Sequence, residues 1–232
     1  MRLPVLGLPV PGLPVLGLAM ALALPASAAV TILPEKAEAG PAMLAYAATP
    51  AYRKLLAGAL ARVPASVVPR CPKLVVEDGA IILQQQLQFG PDKVPVAGGW
   101  RHSQPTHGCG ADTLVNFFFY PGPGNRILTV VGLPGTTRTD LAQQNNARTF
   151  VLLALEPAVK DCRQFETVNT AFGGWGTKAP DLADSGPSAE FRPWWESWTM
   201  LGCGKRYTVP VNFLPNRLGT QVRPGTVEKP SL

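Results

Sequence analysis

Trp100-Arg101-His102-Ser103-Gln104-Pro105-Thr106-His107-Gly108-Cys109-Gly110 is answered 94 positions later by Trp194-Trp195-Glu196-Ser197-Trp198-Thr199-Met200-Leu201-Gly202-Cys203-Gly204. Both stretches read Trp, eight residues, Cys, Gly. Downstream at the same offset, Val115, Phe119 and Pro121 fall on Val209, Phe213 and Pro215. Asn125-Arg126 and Pro134-Gly135-Thr136 find looser echoes in Asn216-Arg217 and Pro224-Gly225-Thr226, and upstream Cys71 has a counterpart in Cys162. Self-similarity at a period of roughly 90 residues implies two similar supersecondary units packed on one another.

Upstream of each stretch lies a helix signal. Thr49-Pro50 supplies a cap and a proline at the first helical position, and Tyr52, Leu55, Leu56, Ala59 and Leu60 recur at helical spacing up to Pro64. In the second half Thr139-Asp140 cap a run with Leu141, Ala147, Phe150, Val151 and Leu155 before Pro157. Strand-like sequence follows each helix: 73–77 and 80–89 in the first half, 164–172 in the second. The Trp-to-Cys stretches read as the next strand, and the alternating runs 113–120 and 207–214 as the one after. Alternation puts Val115, Phe117 and Phe119 on one buried face and Val209, Val211 and Phe213 on the matching face. Closing strands fall at 126–133 and near 219–223. The expected fold is therefore α+β: a tandem duplication of a helix plus a three-to-five-stranded antiparallel sheet, with the helices packed on one sheet face.

The organisation that follows is a signal peptide over 1–29, an N-terminal arm over 30–48, one repeat unit over 49–136 and a second over 137–232. Met1-Arg2, an apolar stretch from Leu3 to Leu24 and the small residues Pro25-Ala26-Ser27-Ala28-Ala29 have the plan of a cleaved secretory signal. The competing reading is a membrane anchor, which Pro4, Pro9, Pro11 and Pro14 interrupt. No later apolar run is long enough to span a bilayer, so the expectation is a periplasmic or secreted chain rather than an integral membrane protein. The stretch from Gly173 to Pro193, with Gly173-Gly174, Pro180, Gly186 and Pro187, is the expected large loop.

Four cysteines in an exported chain read as disulfides. Pairing within each unit joins Cys71 to Cys109 across 38 positions and Cys162 to Cys203 across 41. A crossed arrangement remains open to an intertwined fold. Each bridge would close a loop worth on the order of 4 kcal/mol in the chain-entropy account. No CxxC occurs, which argues against a redox or zinc site.

The formal net charge is +6, and setting Arg2 aside leaves 20 basic against 15 acidic side chains, spread along the chain. That fits an anionic envelope polymer as partner, beside a glycan or a protein. Nucleic acid is not expected, because no basic stripe or reading motif accompanies the charge. No cofactor is implied: Pro121-Gly122-Pro123-Gly124-Asn125 and Gly173-Gly174-Trp175-Gly176 do not lie between a strand and a helix, and turn chemistry accounts for them.

Only His102 and His107 offer imidazole chemistry. A spacing of five places them on opposite faces of a regular strand, so they do not jointly imply a metal site. Ser103, one histidine and Asp112 could be assembled into a hydrolytic triad, but no serine sits in the Gly-x-Ser-x-Gly turn that exposes such a nucleophile. An envelope hydrolase or a metal-binding protein using His102 or His107 is the alternative reading. The favoured one is a binding or envelope-associated module. Its candidate surface is the tryptophan cluster: on a strand, Trp194 and Trp198 share a face with Glu196 and Met200 while Trp195 points away. Trp195, Trp198 and Trp175 are then available for stacking, against the plainer alternative of core packing.

The stretch Trp194 to Cys203-Gly204, followed by Val209, Val211, Phe213, Pro215 and Gly219-Thr220, resembles a pattern in small exported proteobacterial proteins of unknown function. In words it is a Trp-rich strand, Cys-Gly, Val-x-Val-x-Phe-x-Pro, then Gly-Thr. The resemblance covers about 30 residues closely and carries no catalytic residue across. The first unit departs from it, with His102 standing where the second has Glu196.

Overall fold

Thr49 begins the first long helix as the sequence requires: its Oγ1 accepts from the backbone N–H of Tyr52, and Pro50 occupies the first turn, where a missing N–H costs nothing. In the computed structural model, which describes residues 40–110, 112–178 and 191–228, this helix (α2) runs Pro50–Leu60. A shorter helix, α1, precedes it over Pro41–Ala47. It falls within the N-terminal arm expected over 30–48, of which the described part begins at Gly40. One turn of Met43 and Tyr46 is too short a pattern to read as a helix, yet both side chains are buried, and Tyr46 meets Trp100 edge-on at 6.1 Å. The expected signal peptide lies outside the described residues. Among the described residues no helix is long and apolar enough to cross a membrane.

Five strands follow: β1 Val75–Val76, β2 Ala80–Phe89, β3 Pro95–His107, β4 Thr113–Gly122 and β5 Arg126–Val131. They pair antiparallel around β3, with β1 and β2 sharing one of its edges and β4 then β5 extending from the other. Helix α3, Leu141–Ala158, opens with a reciprocal cap: Asp140 accepts from Gln143 N–H and the Gln143 side chain accepts from Asp140 N–H. Pro157 does not end it but sits inside its last turn. Four antiparallel strands complete the chain: β6 Phe165–Trp175, β7 Trp194–Gly202, β8 Lys205–Asn216 and β9 Gly219–Pro224. The mixed α+β class is thus as expected. The register of the two sheets also corresponds, because Trp100 stands opposite Phe119 and Trp194 opposite Phe213.

The Cys-Gly pairs are hairpin turns. Gly202 pairs with Lys205, so Cys203 and Gly204 alone make the loop, and both have positive φ (48° and 75°). That is the twist a two-residue connection needs, and it explains the glycine. Cys109 (φ 56°) and Gly110 (φ 77°) repeat the positive φ values within a longer connection between His107 and Thr113. Each hairpin tip is tied to the segment that leaves the preceding helix, by Cys71–Cys109 and Cys162–Cys203, with Cα atoms 5.9 and 5.8 Å apart.

The linker carries no strand of its own but is hydrogen-bonded on both sides, with Gly135 and Thr170 forming an isolated bridge. Gly132 N–H donates to Asn116 O and Gly135 N–H to Leu114 O, while on its other side Thr136 N–H donates to Thr170 O and Thr170 N–H to Pro134 O, at 2.7 to 2.8 Å. It therefore stitches β4 to β6 and joins the two sheets. A side chain at Gly135 (φ 98°) would collide with the Thr170 carbonyl, so only glycine passes there.

Two apolar clusters result. Beneath α1 and α2 lie Trp100, Val115, Phe117 and Phe119; beneath α3 lie Trp194, Trp198, Met200, Val209, Val211 and Phe213. Each such fully buried large side chain contributes roughly 1.5–3 kcal/mol. Helices cover one face of each sheet, but not the same face of the joined one. Phe118 points away from α2 and is buried too; it lies against Gly132 and near Gln144 of α3. Conversely Val168 and Leu201 pack into the cluster under α1 and α2, although Leu201 alternates with the α3-facing Met200. The expectation of helices on a single face is corrected at this level. The linker bonds to β4 on one side and to β6 on the other, and the helix after it folds back so that Gln144 comes near Phe118.

Candidate functional site

His102 is 7% exposed and faces the α2 side of β3. Trp100 Nε1 donates to Tyr52 Oη (3.1 Å), and Tyr52 Oη lies 2.9 Å from His102 Nδ1. An indole N–H can only donate, so Tyr52 Oη accepts from Trp100 and shares a second hydrogen bond with Nδ1, whose direction follows from which ring nitrogen carries the hydrogen. Burial holds the His102 pKa down to about 4, opposed by nearby Asp78, and pushes that of Tyr52 up. Nε2 itself is buried without a partner, with Gly79 packed against it. His102 is a helix-docking residue, enclosed where a ligand would have to reach it.

Glu196, at the aligned position, is 0% exposed. Its carboxylate accepts from Thr137 Oγ1 (2.8 Å), Arg138 N–H (2.9 Å), Trp194 Nε1 (3.1 Å) and Trp198 Nε1 (2.9 Å). Burial pushes its pKa up and the four donors pull it back. Arg101 Nη1 donates to Thr137 O at 2.9 Å, which sets a cation beside the same linker. Glu196 therefore clamps residues 137 and 138 to β7.

Trp198 is correspondingly unavailable as a stacking surface. It is 0% exposed, packed with Phe213, and its only polar atom is bound to Glu196. The strand alternation that grouped it with Trp194 and Met200 put it on the covered face, and α3 supplies the cover. His107 lies apart from His102, half-exposed at the end of β3, with Nε2 3.4 Å from Glu77 and Nδ1 3.4 Å from Asp112. Ser103 faces away from His102 and donates to Asn116 Oδ1 at 2.6 Å. Ser103, His102 and Asp112 are therefore not brought together. Among the described residues no group of three or more His, Cys, Asp or Glu side chains is arranged to hold a metal ion.

Trp175 is exposed and Trp195 half-buried, at the end of the second sheet. The expected loop begins later than Gly173: β6 continues through a bulge to Trp175, because the Trp195 indole lies across Gly173 where a side chain would collide with it. The rest of that stretch, 179–190, lies outside the described residues. Trp175 is 36% exposed and meets Phe172 edge-on at 5.6 Å. The Arg138 guanidinium sits 4.6 Å from the centre of the Trp175 ring and 5.2 Å from that of Phe172, and the Arg192 guanidinium 4.7 Å over Trp175. On Trp195, Lys178 Nζ lies at 5.1 Å; its backbone N–H donates to Asn212 Oδ1, and its ammonium is 3.0 Å from Glu228. These contacts are cation–π pairs. The sequence named the two tryptophans but missed Phe172, Arg138, Arg192 and Lys178, which come from the linker, β6 and both flanks of the loop. The one available signal was that Arg192 and Lys178 bracket the Gly/Pro-rich stretch.

Comparison with protein families, with curated proteins and with solved structures finds no match for this chain.

Proposed function

We propose that this chain is an exported, disulfide-stapled binding module, built by duplication of one helix-and-sheet unit and holding its ligand at the Trp175 and Trp195 surface. The observation that carries the reading is the placement of these two indoles outside the core, at a strand end, with cations from three separate segments gathered on them. Loop-borne aromatic groups on a rigid sheet are a common recognition arrangement. Two disulfides fit a periplasmic or secreted location, and the resemblance to exported proteobacterial proteins belongs to the same reading.

The test is a pair of variants, Trp175→Ala and Trp195→Ala, on an array of neutral and acidic glycans, with Trp198→Ala as the core control. Both surface variants should keep most of the thermal stability while weakening binding by more than about 1 kcal/mol. Trp198→Ala should lose roughly 3–5 kcal/mol of folding stability. Losses of that size for both surface variants, or unchanged binding by both, would overturn the proposal.

A further inference from the structure

We propose that Asp78-Gly79, in the connection from β1 to β2, is a proton-operated latch, shut over His102 while the ring is neutral and opened when the ring takes up a proton. The two sides of the ring differ. Nδ1 has Tyr52 Oη at 2.9 Å, whereas Nε2 is buried without a partner and Gly79 lies against it. A side chain at position 79 would collide with Nε2, with Cδ2 and with the Ser103 carbonyl, so glycine is what lets the chain close over the ring. A neutral imidazole tolerates this enclosure. An imidazolium carries an N–H on both nitrogens, and a buried charged donor with nothing to accept from it is strongly disfavoured.

Moving residues 78 and 79 is the smallest change that brings water to Nε2. Opening the other side means undocking α2, which would bare the buried Tyr52, Ala59 and Trp100. The connection covers little by contrast: Val75, Val76, Glu77 and Asp78 are exposed and Gly79 is half-buried. Its ties are at Glu77, whose N–H donates to Pro105 O (3.0 Å), whose carbonyl accepts from Gln104 Nε2 (3.3 Å) and whose carboxylate lies 3.4 Å from His107. Charge on His107 would tighten that last pair, so Glu77 is the pivot and the two residues after it swing. The titratable groups that face His102 are Tyr52 from α2 and Asp78 from the latch itself; its cross-strand neighbours, Ile81 of β2 and Phe117 of β4, carry no charge. Burial holds the ring's pKa down to about 4, and Asp78 draws it up. That is the sign a proton-opened latch needs, because the shut form excludes the proton and the open form admits it.

The experiment takes the full chain from pH 6.5 to pH 4.5 and follows the His102 ring by NMR and backbone hydrogen exchange residue by residue, corrected for the intrinsic effect of pH on exchange. Opening that returns the ring to its ordinary pKa of 6.5 should raise the open fraction on the order of thirtyfold over this range. The amides of residues 78–81 should lose protection by that factor, while those of α2 and β4 keep theirs. His102→Gln should abolish the acid response. Gly79→Ala should prop the latch open, with fast exchange at 78–81 already at pH 6.5 and a ring that titrates closer to its ordinary value. An equal loss of protection in α2 would put the opening at the helix and overturn the proposal. Unchanged protection in wild type, or an acid response that survives in His102→Gln, would also overturn it. Should His102→Gln fail to fold, Gly79→Ala decides, and wild-type ring titration with wild-type exchange in that variant removes the latch.

Discussion

His102 and Glu196 stand 94 positions apart, each two residues beyond a buried tryptophan and each on the helix-covered side of its strand, yet they are satisfied by different parts of the chain. In the first half the group is an imidazole, which shares a hydrogen bond with Tyr52 from the helix above. In the second it is a carboxylate, and its donors are the linker and two tryptophans of its own strand. Tyr52 is the third residue of α2. The third residue of α3, Gln143, turns instead to its own cap and to Thr220. One strand position thus serves to dock a helix in one half and to anchor the connection between the halves in the other. What differs is charge: a neutral ring tolerates one nitrogen buried without a partner, as Nε2 is here, whereas a buried anion left short of donors costs far more.

The widest gap between the halves should appear on amide substitution. Glu196→Gln keeps the shape but turns an –NH2 toward groups that are all donors, and should cost about 3–5 kcal/mol in denaturant unfolding. His102→Gln, at neutral pH, disturbs one hydrogen bond and should cost about 1 kcal/mol. Equal losses would break the comparison.

A pH series sharpens it. The folded-state pKa of His102 lies near 4, below its ordinary 6.5, so on acidification the unfolded chain takes up this proton first. The stability present above pH 6.5 should fall by about 3 kcal/mol by pH 4 and change little further through this group. His102→Gln should remove that slope, and persistence of the full slope in the variant would place its origin elsewhere.

The smallest effect concerns the helix starts. Thr49→Ala and Asp140→Ala should each cost about 1 kcal/mol by thermal melting. Asp140→Ala should be the larger, because its cap is reciprocated by Gln143 and that of Thr49 is not.

Most of the elements were legible because they follow from local rules. Both caps, the strands and the buried parity of Val115, Phe117, Phe119, Val209, Val211 and Phe213 depend on residues a few positions apart. The site was half legible. Trp175 and Trp195 stand out by residue type, but their cations belong to positions that only strand pairing makes neighbours: Trp175 lies opposite Trp194, which brings Arg192 and the end of β6 together. Trp198 could be grouped correctly by alternation and still not be assigned a depth, since alternation says which residues share a face and not what covers it.

By itself, then, the sequence determined the order of the longer elements and which cysteines are equivalent, because each is a matter of backbone propensity, side-chain period or spacing. Only the tertiary structure decided that the linker would be hydrogen-bonded between β4 and β6, that α3 would cover the second sheet while its Gln144 came near Phe118, and that Glu196 would be buried against donors from residues 58 and 59 positions away. Those outcomes rest on long-range hydrogen bonds and on which apolar face finds a cover, and they follow from how the two halves meet rather than from any short stretch of residues.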